Sequence, residues 1–187
     1  MNKLVVGLDE VGRGCLAGPV IAAAVILDDS VKIQGLADSK VLSEKKRQVL
    51  STEIKAGSFA WSIGRAEASE IDEINILQAS LLAMKRAYAG LFITADFVKV
   101  DGTFYPDIDV PGECIKGGDA LVEEISAASI LAKVYRDEHM RFLDGFYPGY
   151  QFVKHKGYPT AYHKKIIQES GVLLAHRRSF SPVKKFI

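Results

Sequence analysis

The sequence predicts an α/β fold: a mixed five-stranded sheet flanked by helices, with a small helical lobe at the C-terminus. Three observations carry that prediction. Short runs rich in Val, Ile and Ala alternate with longer segments whose apolar residues recur at steps of three and four. The order is strand, strand, helix, strand, helix, strand, strand, helix, with helical sequence after it. Finally, 187 residues at 48% hydrophobic and 25% charged suit one domain with a sizeable core, neither disordered nor fibrous.

Leu4–Asp9 is the first strand, an apolar run that stops on an acid. Pro19–Leu27 follows a glycine turn as the second. Leu42–Ala56 has helical charge spacing, with Ser43 as N-cap and Gly57 as the stop. Phe59–Ala66 alternates as a third strand. Ile71–Leu91 is helical through Ile74, Leu77, Leu81, Met84 and Tyr88. Phe97–Asp101 is a fourth strand and Glu113–Lys116 a short fifth. Leu121–Leu143 is a long helix with a small-residue face at Ala127, Ala128 and Ala132. A loop with Pro148, Gly149, Gly157 and Pro159 precedes a helix near Ala161–Ser170. Met84, Trp61 and the other apolar residues of these elements are expected in the core.

The net charge of +1 gives no hint of a polyanionic partner, but its distribution does. Between Phe146 and Ile187, Lys154, Lys156, Lys164, Lys165, Arg177, Arg178, Lys184 and Lys185 are opposed by one acid, Glu169. The tail therefore carries +7 and residues 1–145 carry −6. A basic lobe on an acidic body is an electrostatic footprint for nucleic acid, although a solvated basic surface gives the same pattern. Cys15 and Cys114 have neither CxxC spacing nor a zinc-finger histidine, so no disulfide framework is expected. Leu4–Leu8 is too short for a signal peptide, and Val20–Leu27 is far too short to span a bilayer. A cytoplasmic protein is expected, with no membrane partner. No extended exposed heptad or interface patch is visible, so a monomer is expected.

Four acids fall at the ends of predicted elements: Asp9, Glu10, Asp101 and Asp119. Each alone can be read as a helix cap or turn residue. Together they imply a cation, because carboxylates about 4 Å apart repel by about 4 kcal/mol per pair at an effective dielectric of about 20. Oxygen-only ligands favour Mg²⁺ or Mn²⁺ over zinc. Neighbours on a regular strand point to opposite faces, so Asp9 and Glu10 would share a site only if the chain bends there, as Gly12 permits. Asp137, four residues after Lys133, is read as an ion-pair partner and left out of the metal site. His139, His155, His163 and His176 are read as structural or phosphate-contacting. Tyr158, in a Gly/Pro loop beside His155 and Lys156, is poorly placed for a core and is read as functional.

The run Gly7-Leu8-Asp9-Glu10-Val11-Gly12-Arg13-Gly14, with Leu16-Ala17-Gly18-Pro19-Val20 after it, resembles the type 2 ribonuclease H (ribonuclease HII) family. So do Asp38-Ser39-Lys40, Val100-Asp101-Gly102, Ile125–Val134 with Arg136-Asp137, His155-Lys156-Gly157-Tyr158 and His176–Phe180. Their joint order spans nearly the whole chain. The resemblance implies a ribonuclease H-like fold, with a catalytic core at 1–145 and a basic C-terminal segment at 146–187 packed on the same domain. It implies an endonuclease that hydrolyses the RNA strand of RNA/DNA hybrids. It also implies cutting 5′ of single ribonucleotides in duplex DNA, leaving 5′-phosphate and 3′-hydroxyl ends. Asp9, Glu10, Asp101 and Asp119 match the family's ligands to two divalent ions. Gly12, Arg13 and Gly14 match its reader of the ribonucleotide 2′-hydroxyl, and Tyr158 matches the tyrosine that stacks at the RNA–DNA junction. Ser39 and Lys40 resemble phosphate-contacting residues. One departure is Lys116-Gly117-Gly118-Asp119, with one glycine more than the family's usual triplet.

A dinucleotide-binding reading of Gly12-Arg13-Gly14 fits poorly. Ala17 stands where the third glycine belongs, and a β-rich run follows instead of a helix. A non-catalytic nucleic-acid-binding module would keep the basic lobe and Tyr158 but would have no use for the acids.

Overall fold

The computed structural model describes residues 3–187. Its sheet has the order β3-β2-β1-β4-β5. β1 (Val5–Val11) pairs antiparallel with β2 (Val20–Leu27) and parallel with β4 (Phe97–Asp101). β2 pairs antiparallel with β3 (Ser58–Ala66), and β4 pairs parallel with β5 (Gly112–Ile115). The helices are α1 (Glu44–Gly57), α2 (Ala68–Ala89), α3 (Glu123–Phe146), α4 (Phe152–His155), α5 (Ala161–Ser170) and α6 (Ser181–Lys184).

β2 shows why the sheet is so apolar in sequence. Val20, Ala22, Ala24 and Ile26 join Val6, Leu8, Val98 and Val100 against Ala79, Ala83, Met84 and Ala87 of α2. Ile21, Ala23 and Val25 pack on the other face against Leu50 and Ile54 of α1 and Ala127, Ala128, Ile130 and Leu131 of α3. Helices cover both faces, so alternation of polarity disappears. Small residues set the spacing: a Cβ at Gly7 would collide with the Glu124 carbonyl and the Ile125 amide. That close approach fixes the start of α3 against the centre of β1.

A third cluster holds the C-terminal elements. Tyr150, Phe152, Ile167 and Val183 pack on Leu16 and Ala17, which follow β1, and on Met140 of α3. Residues 148–184 therefore buttress the loop after β1.

Several boundaries differ from expectation for identifiable reasons. β1 continues to Val11, past both acids, because its pairing with β2 runs on to Val11↔Ile21. α2 starts at Ala68, where Glu67 and Glu70 form a reciprocal capping box. It breaks at Asn75 (φ 68°, ψ 165°), whose Oδ1 accepts from the Leu77 and Gln78 amides and caps the rest of the helix. Trp61 is not in the core. It lies on the edge strand β3, 38% exposed, with the Lys55 ammonium 5.3 Å from its ring centroid. α4 and α6 have no sequence-level signal, each being a single turn. Both cysteines are free, and no helix of the described residues is long and apolar enough to cross a membrane.

Candidate active site

Asp9 and Glu10 are in register with Ala23 and Ala22, so strand alternation sends them to opposite faces. β1 stays in regular register through Val11, so no bend turns them to one face. Asp9 receives a hydrogen bond from Ser129 of α3. Glu10 lines a narrow cleft beside Leu77, Ser80 and Met84 of α2. Asp101 unites them. Pairing of β4 with β1 is in register to Leu8↔Val100, so Asp101 stands at the sheet end, where both faces open. It interacts electrostatically with Asp9, Glu10 and Asp119.

Asp119 comes from a 3-10 turn at Gly118–Ala120 and does not cap α3, whose N-cap is Val122. The glycine pair before it has a structural use. Gly117 adopts a left-handed conformation at φ 71°, and Gly118 then donates its amide to Asp101 Oδ1 at 2.8 Å. A Cβ at Gly118 would meet Ile125 Cδ1 at 2.6 Å. Ser126 Oγ donates to the Asp119 carbonyl at 2.6 Å, tying the turn to α3.

The acids are hard to ionise together. Burial raises the Asp9 carboxyl well above the usual range, and the charges of Glu10 and Asp101 add to this. Burial also raises Glu10, with Arg13 opposing, and raises Asp101, with Asp119 adding. Cations already attend the outer pair: Lys40 Nζ lies 3.1 Å from Asp119 Oδ2 and Arg13 Nη1 lies 3.3 Å from Glu10 Oε1. Burial acts to lower the Lys40 pKa, but Asp119, Asp38 and Asp9 outweigh it and the net shift is upward. Among the described residues, no three His, Cys, Asp or Glu side chains close to metal-holding distance. The donor set nevertheless fits a hard divalent ion: carboxylate oxygens from three chain segments around one strand end, with Asp9 and Asp101 paired to no side-chain cation at salt-bridge distance among the described residues.

Ser39 is buried at 3% exposure, and its hydroxyl shares a 2.9 Å hydrogen bond with Ser129. Its side chain thus faces Asp9 through Ser129, away from solvent, whereas the Lys40 side chain is 75% exposed. Gly12 is buried at φ 98°, where a Cβ would strike the Arg136 guanidinium, while Arg13 and Gly14 are exposed.

Two arginines hold this loop in place. Arg136 donates to the carbonyls of Ala17 (3.1 Å), Pro19 (3.2 Å) and Lys156 (2.8 Å). Arg177 donates to Arg13 O at 2.8 Å and twice to Gly18 O, at 3.0 and 2.9 Å. Both are fully buried. Arg177 is therefore not part of a phosphate-gripping surface, which corrects its place in the basic tail. Its charge is satisfied by carbonyl dipoles, and burial lowers its pKa to about 10. Sequence reasoning missed both arginines as site residues, because only long-range contacts reveal them. Tyr158 is 39% exposed, with the Arg136 guanidinium 6.0 Å from its ring centroid. Asp137 pairs with Lys133 at 2.7 Å, as its spacing indicated.

Carboxylates near the end of the central parallel strands, beside a glycine loop and exposed cations, have the chemistry that a metal-dependent nuclease requires. Comparisons with known proteins agree. The family model described as Ribonuclease HII matches residues 6–183. A ribonuclease HII from Aliivibrio fischeri (strain MJ11) is 56% identical over 185 residues, covering 99% of this chain and 89% of that protein. Among solved structures, ribonuclease H2 from Pyrococcus horikoshii OT3 superposes with a TM-score of 0.80 at 24% identity, covering 97% of this chain and 96% of the other. A Bst ribonuclease HIII in complex with Mn²⁺ gives 0.75 at 18% identity, covering 98% of this chain and 68% of the other. The last two show the shared fold. The chain belongs to the ribonuclease HII family. It is a divalent-metal-dependent hydrolase of the ribonuclease H type, acting on the RNA strand of RNA/DNA hybrids.

Proposed function

We propose that this enzyme also cuts 5′ of single ribonucleotides embedded in duplex DNA, with two Mg²⁺ or Mn²⁺ ions held by Asp9, Glu10, Asp101 and Asp119. The products carry a 5′-phosphate and a 3′-hydroxyl. The observation that carries this reading is the convergence of three other carboxylates on Asp101 at the end of β4. When bound, such ions stabilise the charge that develops on the attacking and leaving oxygens of phosphodiester hydrolysis.

The chain's own residues supply the rest. Asp9 and Asp101 are the central ligands, and Glu10 and Asp119 complete the set from opposite sides of the sheet end. Ser129 and the Gly118 amide aim the first two, and Ser39 steadies Ser129. Lys40, exposed on Asp119, contacts a substrate phosphate. The Gly12–Gly14 backbone reads the 2′-hydroxyl, the one group that separates RNA from DNA at a given position. Tyr158 stacks at the junction between the ribonucleotide and the following DNA. Residues 1–145 form the catalytic core and 146–187 a basic segment on the same domain.

Asp101→Asn tests the reading. Turnover should fall by about two to three orders of magnitude, as expected when a group that stabilises transition-state charge is removed. Duplex affinity should stay near the wild-type value. Near wild-type turnover would remove Asp101 from the mechanism.

A further inference from the structure

We propose that His163 and His176 are positioning residues for the Tyr158 loop, acting through a directional hydrogen-bond relay that ends on the Tyr158 carbonyl. The proposal rests on the reading of Tyr158 given above.

The relay follows from the partners. His176 Nδ1 accepts the Leu173 amide at 2.9 Å, so its ring proton sits on Nε2. His163 Nδ1 lies 2.9 Å from the Tyr158 carbonyl, which can only accept, so Nδ1 carries the proton and donates it. His163 Nε2 is then bare, and it accepts from His176 Nε2–H across 3.1 Å. Every nitrogen of the pair has one role, and reversing either tautomer places two donors or two acceptors face to face. His155 stacks on His163 with centroids 4.2 Å apart. Its Nε2–H donates to the Tyr150 carbonyl at 2.8 Å and its Nδ1 accepts the Gly157 amide at 3.2 Å.

The loop needs such restraint. Lys156 and Gly157 are both left-handed, at φ 50° and 83°, which is a strained choice for a lysine. Each carbonyl from Lys156 to Tyr158 is claimed from outside the loop: Lys156 O by Arg136, Gly157 O by the Leu16 amide and Tyr158 O by His163. The Leu16 link ties the Tyr158 loop to the segment that follows Gly12–Gly14. Both imidazoles are fully buried, and burial, reinforced by the neighbouring histidines, lowers each to about 4. They are neutral near pH 7, which suits a fixed relay and not proton transfer to substrate.

The experiment measures the ratio of cleavage at a single embedded ribonucleotide to cleavage of a long RNA/DNA hybrid. His163→Leu, which loses the donor, should lower that ratio about tenfold, the scale of a slightly misplaced contact. His163→Asn, which places an amide N–H near the Nδ1 position, should restore most of it. Tyr158→Ala runs alongside. If Tyr158→Ala lowers the ratio and neither His163 variant does, the relay has no role and the proposal is overturned. If Tyr158→Ala leaves the ratio unchanged, the reading of Tyr158 fails and the proposal falls with it. The tautomers are checked independently of any variant by ¹⁵N–¹H spectra of the histidine rings. The relay requires Nδ1–H at His163 and Nε2–H at His176, and Nε2–H at His163 would overturn it.

Discussion

Arg177 illustrates how a single side chain can organise a site it does not enter. Its three donors close on Arg13 O and Gly18 O, holding both ends of the loop that carries the exposed glycine–arginine pair. An ammonium cannot reproduce that fork. Arg177→Lys should leave at least one buried carbonyl without a donor and lower unfolding stability by about 2 kcal/mol. In a protein of this size that corresponds to a melting temperature lower by roughly 4–8 °C. A shift below about 1 °C by calorimetry would mean the carbonyls find other donors. If Tyr158 stacks at the junction as proposed, an interaction worth roughly 1–3 kcal/mol, Tyr158→Ala should slow cleavage at single ribonucleotides by about 5- to 150-fold. Cleavage kinetics on several substrates provide the check, and equal losses on all of them would argue against junction reading. Both residues were visible in sequence, but only the tyrosine's place outside the core was legible. A polar aromatic in a Gly/Pro loop stands out, whereas a basic residue in a basic tail looks like surface until its contacts are known.

At the scale of elements, the sheet and its long helices were readable because their cause is local. Apolar spacing near 3.6 residues marks the helices, and the short continuous apolar run of β2 marks a strand covered on both faces. The acids were readable by type but not by placement. Alternation along β1 separates Asp9 from Glu10, and β4 reunites them through Asp101, a relation set by strand pairing across about ninety residues. The break at Asn75 and the turns around α4 depend on side-chain caps and distant partners, so spacing could not announce them. The histidine cluster carries a pH consequence. In the unfolded chain histidine titrates at about 6.5, whereas His163 and His176 are lowered to about 4 in the fold. Between those values the unfolded state binds protons the folded state refuses, so their effect is to reduce stability as pH falls from about 6.5 toward about 4. The raised carboxyls of Asp9, Glu10 and Asp101 act in the opposite sense. A double variant, His163→Asn with His176→Asn, isolates the histidine contribution, since those carboxyls are common to both proteins. Its urea midpoint should fall less than the wild-type midpoint between pH 7.5 and 5 by about 0.5 M or more. Equal falls would mean the imidazoles are not held neutral.

The whole molecule divides its charge between an acidic strand-end site and a basic periphery. Lys154, Lys164, Lys165, Arg178, Lys184 and Lys185 are exposed, while Arg177 and much of Lys156 are drawn inward. If the exposed set neutralises phosphates along the duplex, log affinity should fall linearly with log salt, with a slope of roughly −0.9 per phosphate contacted. A slope near zero would assign the basic residues to solvation alone. The same lobe supplies the packing that fixes the loop after β1. The central claim is metal-dependent cutting at a ribonucleotide, and an end-labelled DNA duplex with one embedded ribonucleotide tests it most directly. With Mg²⁺ or Mn²⁺ the enzyme should make a single cut on the 5′ side of that residue, none with EDTA and none in an all-DNA duplex. Tight binding without cleavage under either ion would contradict it.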